Sequence, residues 1–271
     1  MTKPQVPETP VGSAEPGPGQ AYAAGEGDGG SRRGNDTPEP RVTAMFDAIA
    51  PVYDRMNTLM TAGLDEGWRR QAVKAAALQP GGSAIDVACG TGKLTFALAR
   101  VTGAGGRVVG IDLAPAMLIE ARRAWGDQPG VTFELGNALA LPYPEGTFDA
   151  ATIAFGMRNL ASFEEGFAEL ARVVRSGGKV VCLELSTPRP RWFGRLYLGV
   201  FHLFAPALGT LFRRRSAYAY LPHSLEGFPD PREIAATMRR VGLRDVRVKR
   251  LALGAVALHV GMVARSEKDA G

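Results

Sequence analysis

The apolar positions along the chain change period several times, and each change marks an element. From Thr43 to Leu78, TAMFDAIAPVYDRMNTLMTAGLDEGWRRQAVKAAAL, they recur at helical spacing with breaks at Pro51 and Gly63, which predicts two or three helices over 42–78. The period then shortens. SAIDVA predicts a short strand, LTFALARVT a helix, RVVGIDL a second strand, and PAMLIEARRAW a helix opened by Pro115 in its first turn. VTFELGNA and TFDAATIAFG predict a third and fourth strand, SFEEGFAELARVV a helix, and GKVVCLEL a fifth strand after a turn at Gly177 and Gly178. Strands alternating with helices imply a mostly parallel sheet joined by crossovers, in the α/β class. The final stretch, DVRVKRLALGAVALHVGMVAR, holds two strand-like runs around Gly254 with no helix between them. An antiparallel hairpin is therefore expected to close the edge of a seven-stranded sheet.

Two stretches depart from this alternation. The first forty residues hold seven prolines and eight glycines and almost no large apolar side chains, so burial cannot offset the entropy of ordering them. Residues 1–41 are expected to be a disordered tail, 42–265 one folded domain, and 266–271 a short tail. Between Ser186 and Arg240 the pattern is interrupted by RWFGRLYLGVFHLFAPALGTLFRRR and SAYAYLPHSLEGF. Residues 188–225 are expected to form a helical insertion near the carboxyl ends of the strands, where open α/β sheets bind ligands.

Composition narrows the classes. With 271 residues, 45% of them hydrophobic, the chain has the material for a large core. A net charge of +5 and a pI near 9.4 would suit an anionic partner, but the cations look scattered along the sequence and no RNA-binding or zinc-finger spacing occurs. Nucleic acid is not an expected partner. Cys89 and Cys182 lie in apolar runs far apart, without metal-ligand company, which fits reduced buried thiols and no metal site. No leader-like opening and no apolar run of roughly eighteen residues is seen, so a soluble, cytoplasmic protein is expected.

The candidate chemistry lies in AIDVACGTGKL, 84–94, where a strand runs into a turn at Gly90 and Gly92. A P-loop would need Ser or Thr after Lys93 and Gly at position 87, and the chain has Leu94 and Val87. A dinucleotide fingerprint would need a third small residue where Thr95 stands. Asp86, just before the turn, would repel a pyrophosphate by about 4 kcal/mol for unit charges 4 Å apart at a surface-like dielectric. The same carboxylate suits a cation. S-adenosylmethionine carries an ammonium and a sulfonium and no phosphate. Asp112 ends the second strand twenty positions after Gly92, where a carboxylate can accept from ribose hydroxyls, and Asn137 follows the third strand, where an amide can meet an adenine edge. A plain reading stays open beside this one: the glycines turn the chain, and the aspartates cap helices.

These residues resemble the UbiE/COQ5 C-methyltransferases of menaquinone and ubiquinone synthesis, which have the class I S-adenosylmethionine-dependent, Rossmann-like fold. The likeness spans about Met45 to Val263. MFDAIAPVYDRMNTLMTAGLDEGWRR resembles the family's opening signature, AIDVACGTGKLT its cofactor loop, GNALALPYPEGTFDAATIAFGMRNL the region joining the third and fourth strands, and GAVALH its C-terminal signature. Ala154 stands where many members carry Ser, and SLEGFPDP departs from the family on the acceptor side. The resemblance places Thr91, Asp112, Asn137 and Ala138 at cofactor positions, with Gly90 and Gly92 as the turn. It implies methylation of a ring carbon of a reduced, demethylated isoprenoid quinone, with demethylmenaquinol as the first expectation and another small apolar acceptor as the runner-up.

Such chemistry needs a phenolate held in line with the methyl group. Arg158, in GMRN, is the candidate for stabilising it, and Tyr53 for orienting the acceptor; the plain alternatives are a structural Arg–carboxylate pair and a buried Tyr. His202 could be a base or a core residue, and His259 matches the C-terminal signature without a role of its own. Trp192 to Phe212 followed by Arg213, Arg214 and Arg215 is either a face for a lipid tail and the inner membrane surface or a packed lid. A homo-oligomer, an NAD(P)-dependent oxidoreductase and a non-catalytic binding module stay as alternatives.

Overall fold

The computed structural model describes residues 33–186, 188, 224 and 228–264. Three helices come first: α1 (Glu39–Ile49), α2 (Tyr53–Thr61) and α3 (Leu64–Ala76). Then β1 (Ser83–Val87), α4 (Lys93–Thr102), β2 (Arg107–Asp112), α5 (Pro115–Trp125) and β3 (Val131–Leu135) alternate. They are followed by β4 (Phe148–Ala154), α6 (Phe163–Val173) and β5 (Val174–Leu185), and after the undescribed stretch by α7 (Pro231–Arg240), β6 (Arg244–Leu251) and β7 (Val256–Met262).

The seven strands form one sheet in the order β3-β2-β1-β4-β5-β7-β6. Only β7 runs opposite to the other six strands, which gives the expected antiparallel hairpin at one edge. The central strands are buried on both faces, as Ala84, Ile85, Val108 and Val109 show, so they read as continuous apolar runs rather than alternating ones. One face packs Phe148, Phe167, Leu170 and Met238 beneath α6 and α7; the other packs Ala72, Ala76 and Leu98 beneath α3 and α4. Each large side chain sealed in this way contributes about 1.5–3 kcal/mol relative to exposure. Strand order reverses between β1 and β4, and the carboxyl ends of the strands on either side of that point open a crevice.

Two expectations change. The tail expected to reach residue 41 gives way to structure at least as early as Arg33. The amide of Asn35 donates to the carbonyl of Leu160 at 2.7 Å and that of Phe163 to Arg33 at 3.0 Å, while Pro38 and Pro40 open α1. Pairing with residues more than a hundred positions away leaves no local pattern, so composition alone extended the tail too far. The second change concerns β5, which starts at Val174 and passes through Gly177–Gly178, with its register shifting between Phe148 and Ala150 of β4. Between the Phe148–Val174 and Ala150–Lys179 pairs β5 advances five residues against two on β4, so the strand begins earlier than expected and the expected turn lies inside it, with φ of +76° at Gly177. The insertion at 192–212, the arginines at 213–215, His202, His223 and residues 1–32 lie outside the described residues.

Candidate active site

The turn after β1 uses its two glycines differently. Both have positive φ, +55° at Gly90 and +78° at Gly92. A Cβ on Gly92 would stand 2.6 Å from the Phe133 ring, so this glycine lets α4 start tight against β3. A Cβ on Gly90 would meet only the Tyr53 ring, at 3.8 Å. Gly90 therefore presents bare backbone to the crevice. Its N–H donates to Oδ2 of Asp112 at 2.7 Å, and the N–H of Ala114 donates to Oδ1 at 2.9 Å, so one carboxylate ties the turn after β1 to the start of α5. Burial pushes the Asp112 carboxyl above its ordinary value, against the pull of these donors.

The resulting cavity has a floor of Ala88, Gly90, Asp112, Ala138 and Ala154 and a roof of Glu39, Val42, Phe46 and Tyr53. Among the described residues, the charged side chains lining it are Glu39 and Asp112, both acids. The roof is fastened loop by loop. Oε2 of Glu39 accepts from Nδ2 of Asn137 at 3.0 Å, Oδ1 of Asp47 from the N–H of Ala116 at 2.9 Å, and Oδ1 of Asp54 from Oγ1 of Thr91 at 2.8 Å. Lys93 adds an ion pair to Asp54 at 3.4 Å. The loops after β3, β2 and β1 are each held by one carboxylate of the cover, and residues 33–35 strap the loop after β4. Gly34 is required there, since a Cβ would fall 1.8 Å from the Ala161 carbonyl oxygen. Sequence reasoning missed Glu39, Asp47 and Asp54 because their partners are long-range.

The expected cofactor residues separate into two groups. Gly90, Asp112, Asn137 and Ala138 line the cavity. Thr91 lies behind it, donating to Asp54 and accepting from Nε1 of Trp125 at 2.8 Å, while Gly92 packs under Phe133. Asp86 requires a correction: it is 1% exposed and accepts from Thr95 and Thr152, both at 2.7 Å, rather than facing a ligand. Desolvation raises its pKa to about 6 in spite of those hydroxyls. Its charge is thus sealed beneath the turn.

The two acceptor-side candidates also part. Tyr53 lines the cavity, set edge-on to Phe46 with ring centroids 6.2 Å apart. Arg158 is buried: Nη1 lies 2.6 Å from Oε1 of Glu184 and 2.6 Å from the Phe155 carbonyl, and Nε donates to Ser224 at 3.3 Å. The structural pairing considered from sequence is the one present. It restrains Phe155, whose φ of +58° is costly for a residue with a side chain, about 1–3 kcal/mol, and which lines the cavity. The Phe155 ring meets Trp68 at 6.4 Å and carries the Arg69 guanidinium at 5.4 Å. His259 gains a structural role, with Nε2 3.0 Å from the carbonyl oxygen of Pro231 and burial lowering its pKa to about 4. Both cysteine thiols are pushed well above their ordinary value by burial.

A family model described as the ubiE/COQ5 methyltransferase family matches residues 35–263. The chain belongs to that family. A ubiquinone/menaquinone biosynthesis C-methyltransferase UbiE from Geobacter sulfurreducens is 40% identical over 82% of this chain and 88% of its own length. A demethylmenaquinone methyltransferase from Thermus thermophilus is 44% identical over 80% of this chain and 99% of its own. Among solved structures, a SAM-dependent methyltransferase from Aquifex aeolicus aligns with a TM-score of 0.54 at 18% identity, covering 72% of this chain and 89% of its own. One from Thermotoga maritima, named a possible histamine N-methyltransferase, aligns at 0.57 and 18% identity, covering 81% and 98%. These two establish the class I fold. As a ubiE/COQ5 methyltransferase, the protein uses S-adenosylmethionine, and the cavity fits it. Small side chains and bare Gly90 backbone leave room, and the two lining acids suit a cationic ligand and oppose a phosphate.

Proposed function

We propose that this methyltransferase transfers a methyl group from S-adenosylmethionine to a ring carbon of a reduced, demethylated isoprenoid quinone, with demethylmenaquinol as the preferred acceptor. The observation that carries the cofactor half is the acid-lined cavity at the reversal of strand order; the named relatives support the quinone. When bound, S-adenosylmethionine supplies an electrophilic methyl group on a positively charged sulfur. The chain's own groups do the rest. Asp112, held by two backbone donors, would offer its remaining lone pairs to the ribose hydroxyls, and Asn137 and Ala138 would border the adenine end. Tyr53 and Phe155 form the wall against which the acceptor ring is set.

A ring carbon of a quinol becomes nucleophilic once its hydroxyl loses a proton and pushes density into the ring. Arg158 enters this scheme as a positioning residue. Through Glu184 and the Phe155 carbonyl it fixes the 155–160 segment, and through Ser224 it touches the far end of the expected acceptor-side segment. With its guanidinium paired to a carboxylate, direct stabilisation of a phenolate becomes the lesser role. A peripheral contact with the membrane that holds the isoprenoid tail belongs to the same reading.

Methyl transfer from labelled cofactor to short-tailed demethylated naphthoquinol and benzoquinol, measured side by side, tests the proposal. The expected result is ring-carbon labelling, faster on the naphthoquinol than on the benzoquinol. Oxygen methylation, or no transfer to either, would sink it.

A further inference from the structure

Among the described residues, the chain's positive charge is not scattered. The stretch from Pro231 to Leu251 holds seven Lys and Arg residues against Glu233 and Asp245, an excess equal to the +5 of the whole chain. The remainder is neutral in sum. This stretch comprises α7 and β6, and among the described residues β6 is one of the two edge strands of the sheet, with Arg247, Lys249 and Arg250 exposed along it.

The position of that edge matters as much as its charge. β6 and β5 both pair antiparallel to β7, so they run in the same direction. Leu251 and Leu185 are both in register with Val256, and the amide of Ser186 donates to the carbonyl of Ala255 at 2.8 Å. The β6–β7 turn therefore lies at the carboxyl end of the sheet, beside the point where the chain leaves β5 towards the expected acceptor-side segment. At its tip stands Leu253, 77% exposed, the most exposed large apolar side chain among the described residues. Left-handed backbone at Ala252 and Leu253, with φ of +47° and +55°, holds it there. Leu64 and Leu59 are also exposed at this end, since Trp68, one turn further along α3, meets Phe155 just past β4.

We propose that the β6–β7 hairpin is the surface by which this protein docks on an anionic lipid bilayer, with Leu253 entering the apolar layer and Arg247, Lys249 and Arg250 meeting the headgroups. The inference rests on the quinol reading, because a lipid-tailed acceptor places the substrate in a membrane. Cations on a free edge strand also prevent edge-to-edge pairing. That purpose does not call for an exposed leucine at the tip, and it does not require the edge to end at the carboxyl end of the sheet, near the point where the chain leaves β5. An apolar tip flanked by basic residues fits an interface of acyl chains and anionic headgroups.

The test is flotation of the full chain with vesicles of phosphatidylglycerol and phosphatidylcholine, and with phosphatidylcholine alone. Binding to the anionic vesicles, weakened by salt, is expected. Each basic side chain near such a surface contributes about a fivefold gain, so the combined R247E, K249E and R250E variant should bind at least about a hundredfold more weakly. Leu253→Asp should lower binding about tenfold. Both variants should keep wild-type thermal stability, cofactor affinity and turnover of a short-tailed soluble quinol, and lose turnover of a long-tailed quinol in vesicles. Wild-type protein that ignores anionic vesicles, or a Leu253→Asp protein that binds them as well as wild type, would overturn the proposal. So would a basic edge that instead binds nucleic acid tightly and lipid not at all. Loss of short-tailed turnover in the wild type would strike the quinol reading and leave vesicle binding to be judged by itself.

Discussion

Two neighbouring strands of this sheet carry an aspartate in their last two positions, and the two aspartates work differently. At the end of β2, Asp112 lines the cavity and ties two loops together; one residue before the end of β1, Asp86 is sealed by Thr95 and Thr152 and does not line that cavity. The same contrast recurs further along the sheet, where Tyr53 faces the cavity and Arg158 is closed into a buried pair with Glu184. Residue type and position in the sequence do not separate a group that meets ligand from one that supports it. What separates them is the partner, and the partner here is a residue 9 to 66 positions away.

The contrast predicts that changes at sealed groups act on stability and changes at cavity groups act on binding. The largest effect is expected at Arg158. Arg158→Ala strands the Glu184 carboxylate in the core, which costs about 3–5 kcal/mol in urea unfolding, and turnover falls with it. A variant of wild-type stability that has lost turnover would instead return Arg158 to the reacting atoms. Next come two opposed pH dependences. Asp86 titrates near 6 against an ordinary 3.8, so its neutral form favours folding at low pH and that contribution is lost as pH rises towards 6. His259 titrates near 4 against 6.5, so its contribution is intact above 6.5 and is lost as pH falls towards 4.

Between about pH 4 and 6 these slopes oppose one another, each amounting to at most about 1.4 kcal/mol per pH unit. Relative to wild type, Asp86→Asn should lose stability more steeply as pH falls through this window, and His259→Gln less steeply. Unfolding at a series of pH values reads both, and equal slopes in all three proteins would contradict the sealed assignment. The smallest effect is expected at the cover. Asp54→Ala releases the Thr91 hydroxyl and Lys93, a loss of about 1 kcal/mol in cofactor binding by calorimetry, with the unfolding midpoint little changed. An unchanged affinity would mean that the carboxylate clasps are not coupled to the cofactor site.

Much of this architecture was legible in the sequence because it is written locally. The strand and helix periods, the glycine turn and Asp112 at a strand end each depend on a few adjacent residues, and the structure has them where the pattern put them. The start of the folded region was not legible, since what orders Arg33 and Asn35 is the backbone at 160–163. Arg158 was found but its partner was not, because Glu184 lies within the apolar run of β5 and gives no sign that it faces a guanidinium. The clasps by Glu39, Asp47 and Asp54 look in the sequence like ordinary solvated acids of amphipathic helices. The basic edge was missed for another reason. Charges counted over the whole chain look dispersed until the strand order makes β6 an edge.

The central claim is that the acid at the cavity, and not the acid beneath the turn, serves the cofactor. Its most direct test is S-adenosylmethionine affinity measured by calorimetry at pH 7.5 on Asp112→Asn and Asp86→Asn. The account predicts that Asp112→Asn weakens binding about tenfold to a hundredfold, since hydrogen bonds to a charged group are worth about 1.5–3 kcal/mol, while Asp86→Asn stays within about threefold of wild type. Loss of binding in Asp86→Asn with Asp112→Asn unaffected would contradict it.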